Sequence, residues 1–427
     1  MKELQPEQLA GQLRPGMRVY VAGNVGEPSA LLAALKAQPA AAAGVTFVQF
    51  PLPGMNQFDF TALHPEARME AFFMTPELRT GFATGRVLFM PMQMRRIFDY
   101  LRDGPRFDMA WLQVGPMDEE KGRYPLAPNV DFVVAVLANV QFVLCELNAQ
   151  VRGTAVMPSL PAQRIDAFLR SDRPLATAPA IRQDAAAVAV AAHVSALIRD
   201  GDCVQTGIGA IPAAVLAALR GKNDLGFHSG LLDAAARDLI ERGVMTGRRK
   251  TLDQGLHVTG MAIGDASFYD WLANTAAVVF RPASHTHEVS AIRQIDNFVS
   301  INSAVEIDLF GQVNAEIVGM RQFSGTGGSL DFMRGASASN GGRSVVALLA
   351  TARDGQLSRI VPALARGVPA TAARTDVDYV ATEFGAVRLF GLDLNARAEA
   401  LINIAAPDFR VDLRAAWREC LQAMGGG

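Results

Sequence analysis

The chain has 427 residues, 50% of them hydrophobic and 19% charged, enough to bury the cores of two or three domains. A Lys+Arg count of 40 against an Asp+Glu count of 42 leaves a formal charge of -2, which excludes the basic face that nucleic acid would need. Cys145, Cys203 and Cys420 stand far apart, so neither a disulfide framework nor a metal site is expected, and the compartment reads as reducing and cytoplasmic.

The opening MKELQPEQLAGQL carries no apolar leader core. The alanine-rich runs are broken by Gly, Pro, Arg or Asp well short of the roughly 20 residues that span a bilayer, so no membrane insertion is expected. Short apolar runs suited to buried parallel strands alternate with helical patterns. Residues 18–22 read as a strand and 29–35 as a helix, followed by strand candidates at 45–50, 87–90 and 108–114. The stretch 159–182, interrupted by Pro161, Pro174 and Pro179, marks a join between an N-terminal unit, 1–182, and a C-terminal unit, 183–427. The second unit opens on an apolar helix at 184–198 and continues with a strand at 203–205, a helix at 213–219 and a buried strand at 344–349.

PGMRVYVAGNVGEPSALLAAL, from Pro15, and DGDCVQTGIGAIPAAVLAAL, from Asp200, both run turn, strand, glycine loop, proline and Ala/Leu helix. Gly16 answers Gly201 and Pro28 answers Pro212, the pattern of two related α/β halves with room for a ligand between them.

Several motifs bear on chemistry. Gly207-Ile208-Gly209-Ala210-Ile211-Pro212 follows a strand and opens a helix, so its backbone N–H groups point toward one place and suit a phosphate or an oxyanion. Pro212 stands where a dinucleotide fingerprint needs its third glycine, and alone such a turn is more often a plain connection. Gly325-Thr326-Gly327-Gly328, with Gly335 and Asn340-Gly341-Gly342 beyond it, forms a second glycine cluster. Together the two loops read as a cradle for a phosphate-bearing or thioester-bearing group. His285-x-His287-Glu288 would put two imidazoles on one side of a strand, but with no evident third ligand they read as surface histidines and no metal is expected. Gly335-Ala336-Ser337-Ala338-Ser339 fails the serine-nucleophile pattern at its last position. Glu306, Asp308, Glu316 and Glu383 remain as carboxylate candidates, each of which loop capping would also explain.

In this order the pieces resemble the acetyl-CoA hydrolase/transferase family, the class I CoA-transferases that include acetate and 4-hydroxybutyrate CoA-transferases. The likeness runs from Gly23 to Pro28, through Gln113-Val114-Gly115-Pro116-Met117-Asp118-Glu119, Cys145-Glu146-Leu147-Asn148 and the two glycine loops, to Thr382-Glu383-Phe384-Gly385 and Pro407-Asp408-Phe409-Arg410. It implies an α/β fold of two tandem related open α/β domains of the class I CoA-transferase type, with an acyl-CoA between them. It also implies CoA contacts at Gly207, Ile208, Gly209, Ala210, Ile211, Gly327 and Gly328, further ones near Val305 and Asn340, and a homo-oligomer. No permanently bound cofactor is implied, coenzyme A being a substrate alongside a small carboxylic acid. The family nucleophile is a glutamate ending Leu-Gly-hydrophobe-His-Ser/Thr-Glu, and here the segment is Leu225-Gly226-Phe227-His228-Ser229-Gly230. Gly230 has no side chain to carry CoA as a glutamyl thioester. Three readings follow: cleavage of a CoA ester by water with His228 or Glu306 as base, transfer through another carboxylate such as Glu306, and acyl-CoA binding without chemistry.

Overall fold

The computed structural model describes residues 1–153, 157–177 and 184–425, so the expected join at 182/183 lies outside the described residues. The first sheet holds strands Lys2–Glu3 (β1), Arg18–Val21 (β2), Thr46–Gln49 (β3), Arg68–Ala71 (β4), Val87–Phe89 (β5), Phe107–Val114 (β6), Val140–Asn148 (β7) and Ala167–Ser171 (β8). Their spatial order is β1-β8-β7-β6-β2-β3-β4-β5, and every neighbouring pair is parallel. Val19, Tyr20 and Val21 are all buried, which is why β2 reads as an unbroken apolar run: both faces of a central parallel strand are covered.

The second sheet holds Cys203–Thr206 (β9), Gly226–Phe227 (β10), Phe298–Ser303 (β11), Arg343–Ala347 (β12), Tyr379–Thr382 (β13) and Gly385–Arg388 (β14). Their order is β10-β9-β11-β12-β13-β14, parallel except for the last pair. The strand order reverses between β2 and β6 in one sheet and between β9 and β11 in the other. Open α/β sheets bind ligands in the crevice beyond the carboxyl ends of strands at such a point.

The expected repeat is visible in the backbone. Gly16 and Gly201, at φ +87 and +84, make the same turn into β2 and β9. Each strand then leads through a glycine loop into a helix, Ser29–Ala37 after β2 and Ala210–Ala218 after β9. The prolines differ in place: Pro28 caps its helix from outside, whereas Pro212 lies in the first turn, where no intrahelical amide bond is lost. The apolar helix Ala185–Ala196 is capped by the Asp184 carboxylate, which accepts from the Ala187 N–H at 2.7 Å.

One apolar core runs through both halves, including Phe50, Leu112 and Phe132 from the first and Phe227, Phe280 and Val299 from the second. Two further cores cover the outer faces, around Phe47 and Trp111 and around Val346 and Trp417. The halves are joined by backbone bonds from Met94 N to Gly327 O at 3.0 Å, Val130 N to Gly260 O at 2.9 Å and Ala262 N to Pro128 O at 2.9 Å. Arg95 adds an ion pair to Glu288 at 2.6 Å. No described helix is long and apolar enough to cross a membrane.

Candidate active site

A cavity of about 580 Å³ collects residues that follow the carboxyl ends of strands in both sheets, within the size range of small-molecule sites. Asn24 enters it after β2, Phe50 and Leu52 after β3, and Phe73 after β4. From the second half come Thr206 at the end of β9 with Gly207 and Ile208 after it, Gly230 after β10, and Ala304, Val305 and Glu306 after β11. Gly325, Thr326, Gly327, Gly328 and Ser329 form another wall, leading into the helix Ser329–Ala338.

The first glycine loop turns on one special backbone conformation. Gly209 sits at φ 128 and ψ -177, a region essentially closed to residues with a side chain, and caps the helix Ala210–Ala218. Behind the loop, Gln205 and Asn302 exchange two amide hydrogen bonds, 3.2 and 3.0 Å, across neighbouring strands. Gly207 departs from the expectation of a free donor: its N–H completes the sheet by donating to Ile301 O at 3.0 Å. Among the described residues, the Ile208 and Gly209 N–H groups have no backbone acceptor, and the same holds for Gly327 and Gly328. These are donors suited to an oxyanion or a phosphate.

The expected site residues are not all brought together. Gly207, Ile208, Gly230, Val305, Glu306, Gly327 and Gly328 line the cavity, whereas Gly209, Ala210 and Ile211 support the loop from behind it. Asn340 is displaced from the others. It is exposed, and its carbonyl accepts from Asn297 N at 2.8 Å just ahead of β11, at the amino end of the sheet and opposite the cavity. His228 is buried outside the lining, its Nε2 paired with Thr286 O at 3.0 Å, so it does not face the cavity as a base. Burial and then the Lys250 charge push its imidazole down to about 3.

The carboxylate candidates also separate. Asp308 is spent on its own turn, accepting from Gln312 N at 2.8 Å and Gln312 Nε2 at 2.7 Å. Glu316 accepts from Thr371 Oγ1 at 2.9 Å, and Glu383 from Ala350 N at 2.8 Å. Glu306 is held by Asn314 Nδ2 at 2.9 Å and lines the cavity.

The histidine pair is a correction. His285 and His287 lie on and just after the short helix Ala283–Thr286, not on a strand, so residues two apart point in different directions. His285 pairs with Asp253 at 3.0 Å, while His287 is 1% exposed and forms part of the cavity wall. A Cβ on Gly230 would lie 2.9 and 3.0 Å from His287 Cε1 and Nε2, and one on Gly328 would lie 2.3 Å from Cδ2 and Nε2. The direction a side chain at 230 would take is therefore filled by an imidazole.

Asp131 went unnoticed in the sequence. It is 2% exposed, lines the cavity, and its Oδ1 has no hydrogen-bond partner among the described residues. Burial pushes its carboxyl up to about 8. Its place depends on Gly260, where a Cβ would lie 1.8 Å from Oδ1. No motif surrounds Asp131, so nothing short of the packed fold could mark it.

Two family profiles match, the acetyl-CoA hydrolase/transferase N-terminal domain over residues 1–157 and the C-terminal domain over 264–417. The chain belongs to the acetyl-CoA hydrolase/transferase family. It is 34% identical to succinyl-CoA:cyclohexane-1-carboxylate CoA transferase of Geobacter metallireducens, over 98% of this chain and 95% of that one. It is 32% identical to 4-hydroxybutyrate coenzyme A transferase of Clostridium kluyveri, over 96% of each. The crystal structure of RipA from Yersinia pestis superposes with a TM-score of 0.89 at 31% identity, covering 98% of this chain and 97% of that one. The fold is thus that of the class I CoA-transferases, and the chain is an enzyme of this acetyl-CoA hydrolase/transferase family.

Proposed function

We propose that this family member cleaves a CoA ester with water. The observation that carries the reading is Gly230: it lies in the cavity wall at the place that the family resemblance assigns to a glutamate, and its open side is occupied by the His287 ring. A glycine forms no acyl or thioester intermediate, while the free amides of the two glycine loops remain suited to a tetrahedral oxyanion. Coenzyme A is then a substrate, and the acyl group occupies the part of the cavity walled by Phe50, Leu52 and Phe73 from the first half. The reading places the protein in the cytoplasm as a homo-oligomer, which fractionation and light scattering would check.

A second reading is favoured by Asp131 and Glu306, carboxyl groups that face the same cavity. Glu306, or Asp131 once it has given up its proton, would serve as nucleophile for transfer between an acyl-CoA and a small carboxylic acid. Thiol release from a panel of acyl-CoAs, with and without added carboxylic acids, separates the two when followed by mass spectrometry of the protein. Free CoA without acceptor and without adduct is expected for hydrolysis. Acceptor-dependent exchange with CoA attached to Asp131 or Glu306 would establish transfer instead.

A further inference from the structure

We propose that His287 is the general base that activates the attacking water, an inference that rests on the hydrolytic reading. The ring is seated in a slot that exists because Gly230 and Gly328 both lack Cβ atoms, and Phe332 packs against it with ring centroids 4.5 Å apart. Such a slot fixes the ring plane and presents its Nε2 edge beside Gly230 and the second glycine loop.

Base action at Nε2 requires the tautomer protonated at Nδ1, and Thr286 behind the ring offers that proton an acceptor. Thr286 Oγ1 lies 3.3 Å from Pro282 O, to which its hydroxyl donates, and 2.8 Å from His287 Nδ1. With its own hydrogen used, that oxygen accepts from Nδ1–H, which leaves the lone pair on Nε2. Nε2 has no hydrogen-bond partner among the described residues. Burial holds the imidazole neutral, pushing it down to about 3. The negative charge of an oxyanion forming alongside opposes that shift, so the proton affinity of Nε2 rises as the reaction proceeds.

The step balances without a co-reactant. Nε2 takes one proton from water as the water oxygen bonds to the thioester carbonyl carbon, and the carbonyl oxygen becomes an oxyanion held by the cavity-lining Ile208, Gly327 and Gly328 amides. The intermediate then collapses, the C–S bond breaks, and the imidazolium returns the proton to the leaving thiolate. The products are a carboxylic acid and free CoA, and the imidazole is neutral again.

His287→Asn and His287→Ala test this on the full chain, with acyl-CoA esters as probes. The expected result is a fall in kcat for acceptor-free CoA release of about 100-fold or more, with KM changed less than threefold. Added imidazole, which fits the space vacated in His287→Ala, restores part of that rate. Rates within threefold of the parent in both variants overturn the proposal. So does a parallel loss of ester binding and rate with no imidazole rescue, which would make the ring a packing element. A parent enzyme that releases no CoA from any ester without an acceptor overturns the hydrolytic reading itself, a result distinct from hydrolysis that survives loss of His287.

Discussion

Gly230, Gly328 and His287 behave as one steric unit, because the ring occupies the volume that two Cβ atoms would otherwise claim. Gly230→Glu brings its Cβ to 2.9 and 3.0 Å from Cε1 and Nε2 of a ring already tied at Nδ1 and packed on Phe332. Overpacking of this kind costs about 1–3 kcal/mol. Asparagine at 287 lacks the two ring atoms that collide, so Gly230→Glu combined with His287→Asn is expected to regain most of the melting temperature lost by Gly230→Glu alone. Thermal melts of the two singles and the double measure the coupling, and additive losses would show that the ring moves aside freely. In the double variant, a CoA adduct found by mass spectrometry at the introduced carboxylate would show that the rest of the transferase site is intact. The sequence shows the glycine at 230 and the histidine at 287 but not their contact, since 57 positions of chain separate them. Its alternation of His285 and His287 suggests one shared side only if the segment is a strand, and a turn of helix sends them apart.

Neighbouring strands hold the glycine loops in place, and the buried Gln205–Asn302 amide pair links β9 to β11 where the strand order reverses. Truncation by Gln205→Ala leaves the Asn302 amide without its strand partner next to Gly207, whose Cβ position lies 3.4 Å from Asn302 Oδ1. An unsatisfied buried amide costs about 1–3 kcal/mol. A melting temperature lowered by several degrees, together with a weaker stabilising shift on adding acyl-CoA, is the expected outcome; an unchanged melt would mean that water replaces the lost group. The strands legible in the sequence are short apolar runs, and 18–22, 45–50, 87–90, 108–114, 203–205 and 344–349 reappear as Arg18–Val21, Thr46–Gln49, Val87–Phe89, Phe107–Val114, Cys203–Thr206 and Arg343–Ala347. Arg68–Ala71 was hidden because Glu70 interrupts its apolar pattern, and the partner that makes this tolerable, Arg18, lies on β2. Ala167–Ser171 carries Ser171, which donates to the buried Glu146 at 2.5 Å, and Arg170, which points to solvent. Local pattern reports burial but not the long-range partner that makes a polar residue acceptable inside a sheet.

Across the whole molecule, two sets of buried groups pull stability in opposite directions as pH changes. Burial pushes His228 and His287 down to about 3 and His257 down to about 4, so from there up to their ordinary 6.5 the unfolded chain binds more protons than the folded one. Stability from these groups is therefore lost as pH falls through that window. Burial raises Glu27 and Asp331 to about 7 and Asp131 to about 8, so between their ordinary values near 4 and these raised ones the folded chain binds more protons. Stability from the carboxyls is lost as pH rises. Between about pH 4.5 and 6 the two sets act in opposite directions, with Glu146 and Asp233, also pushed up by burial, on the side of the carboxyls. Well above 6.5 these histidines are neutral in both states while the raised carboxyls still act, so the melting temperature is expected to decline toward pH 8. Below about 4 the raised carboxyls become protonated in both states, and the histidines act together with surface carboxylates such as Asp224 and Asp238 that arginine partners hold below their usual range. A steep acid loss follows. Asp131→Asn tests the assignment, because an amide is the permanent equivalent of the neutral carboxyl: its melting temperature should lie close to the parent's near pH 4 and exceed it by a margin that grows up to pH 8. A constant difference across the range would mean that Asp131 is ionised throughout, and that the cavity holds a charged carboxylate rather than an acid at neutral pH.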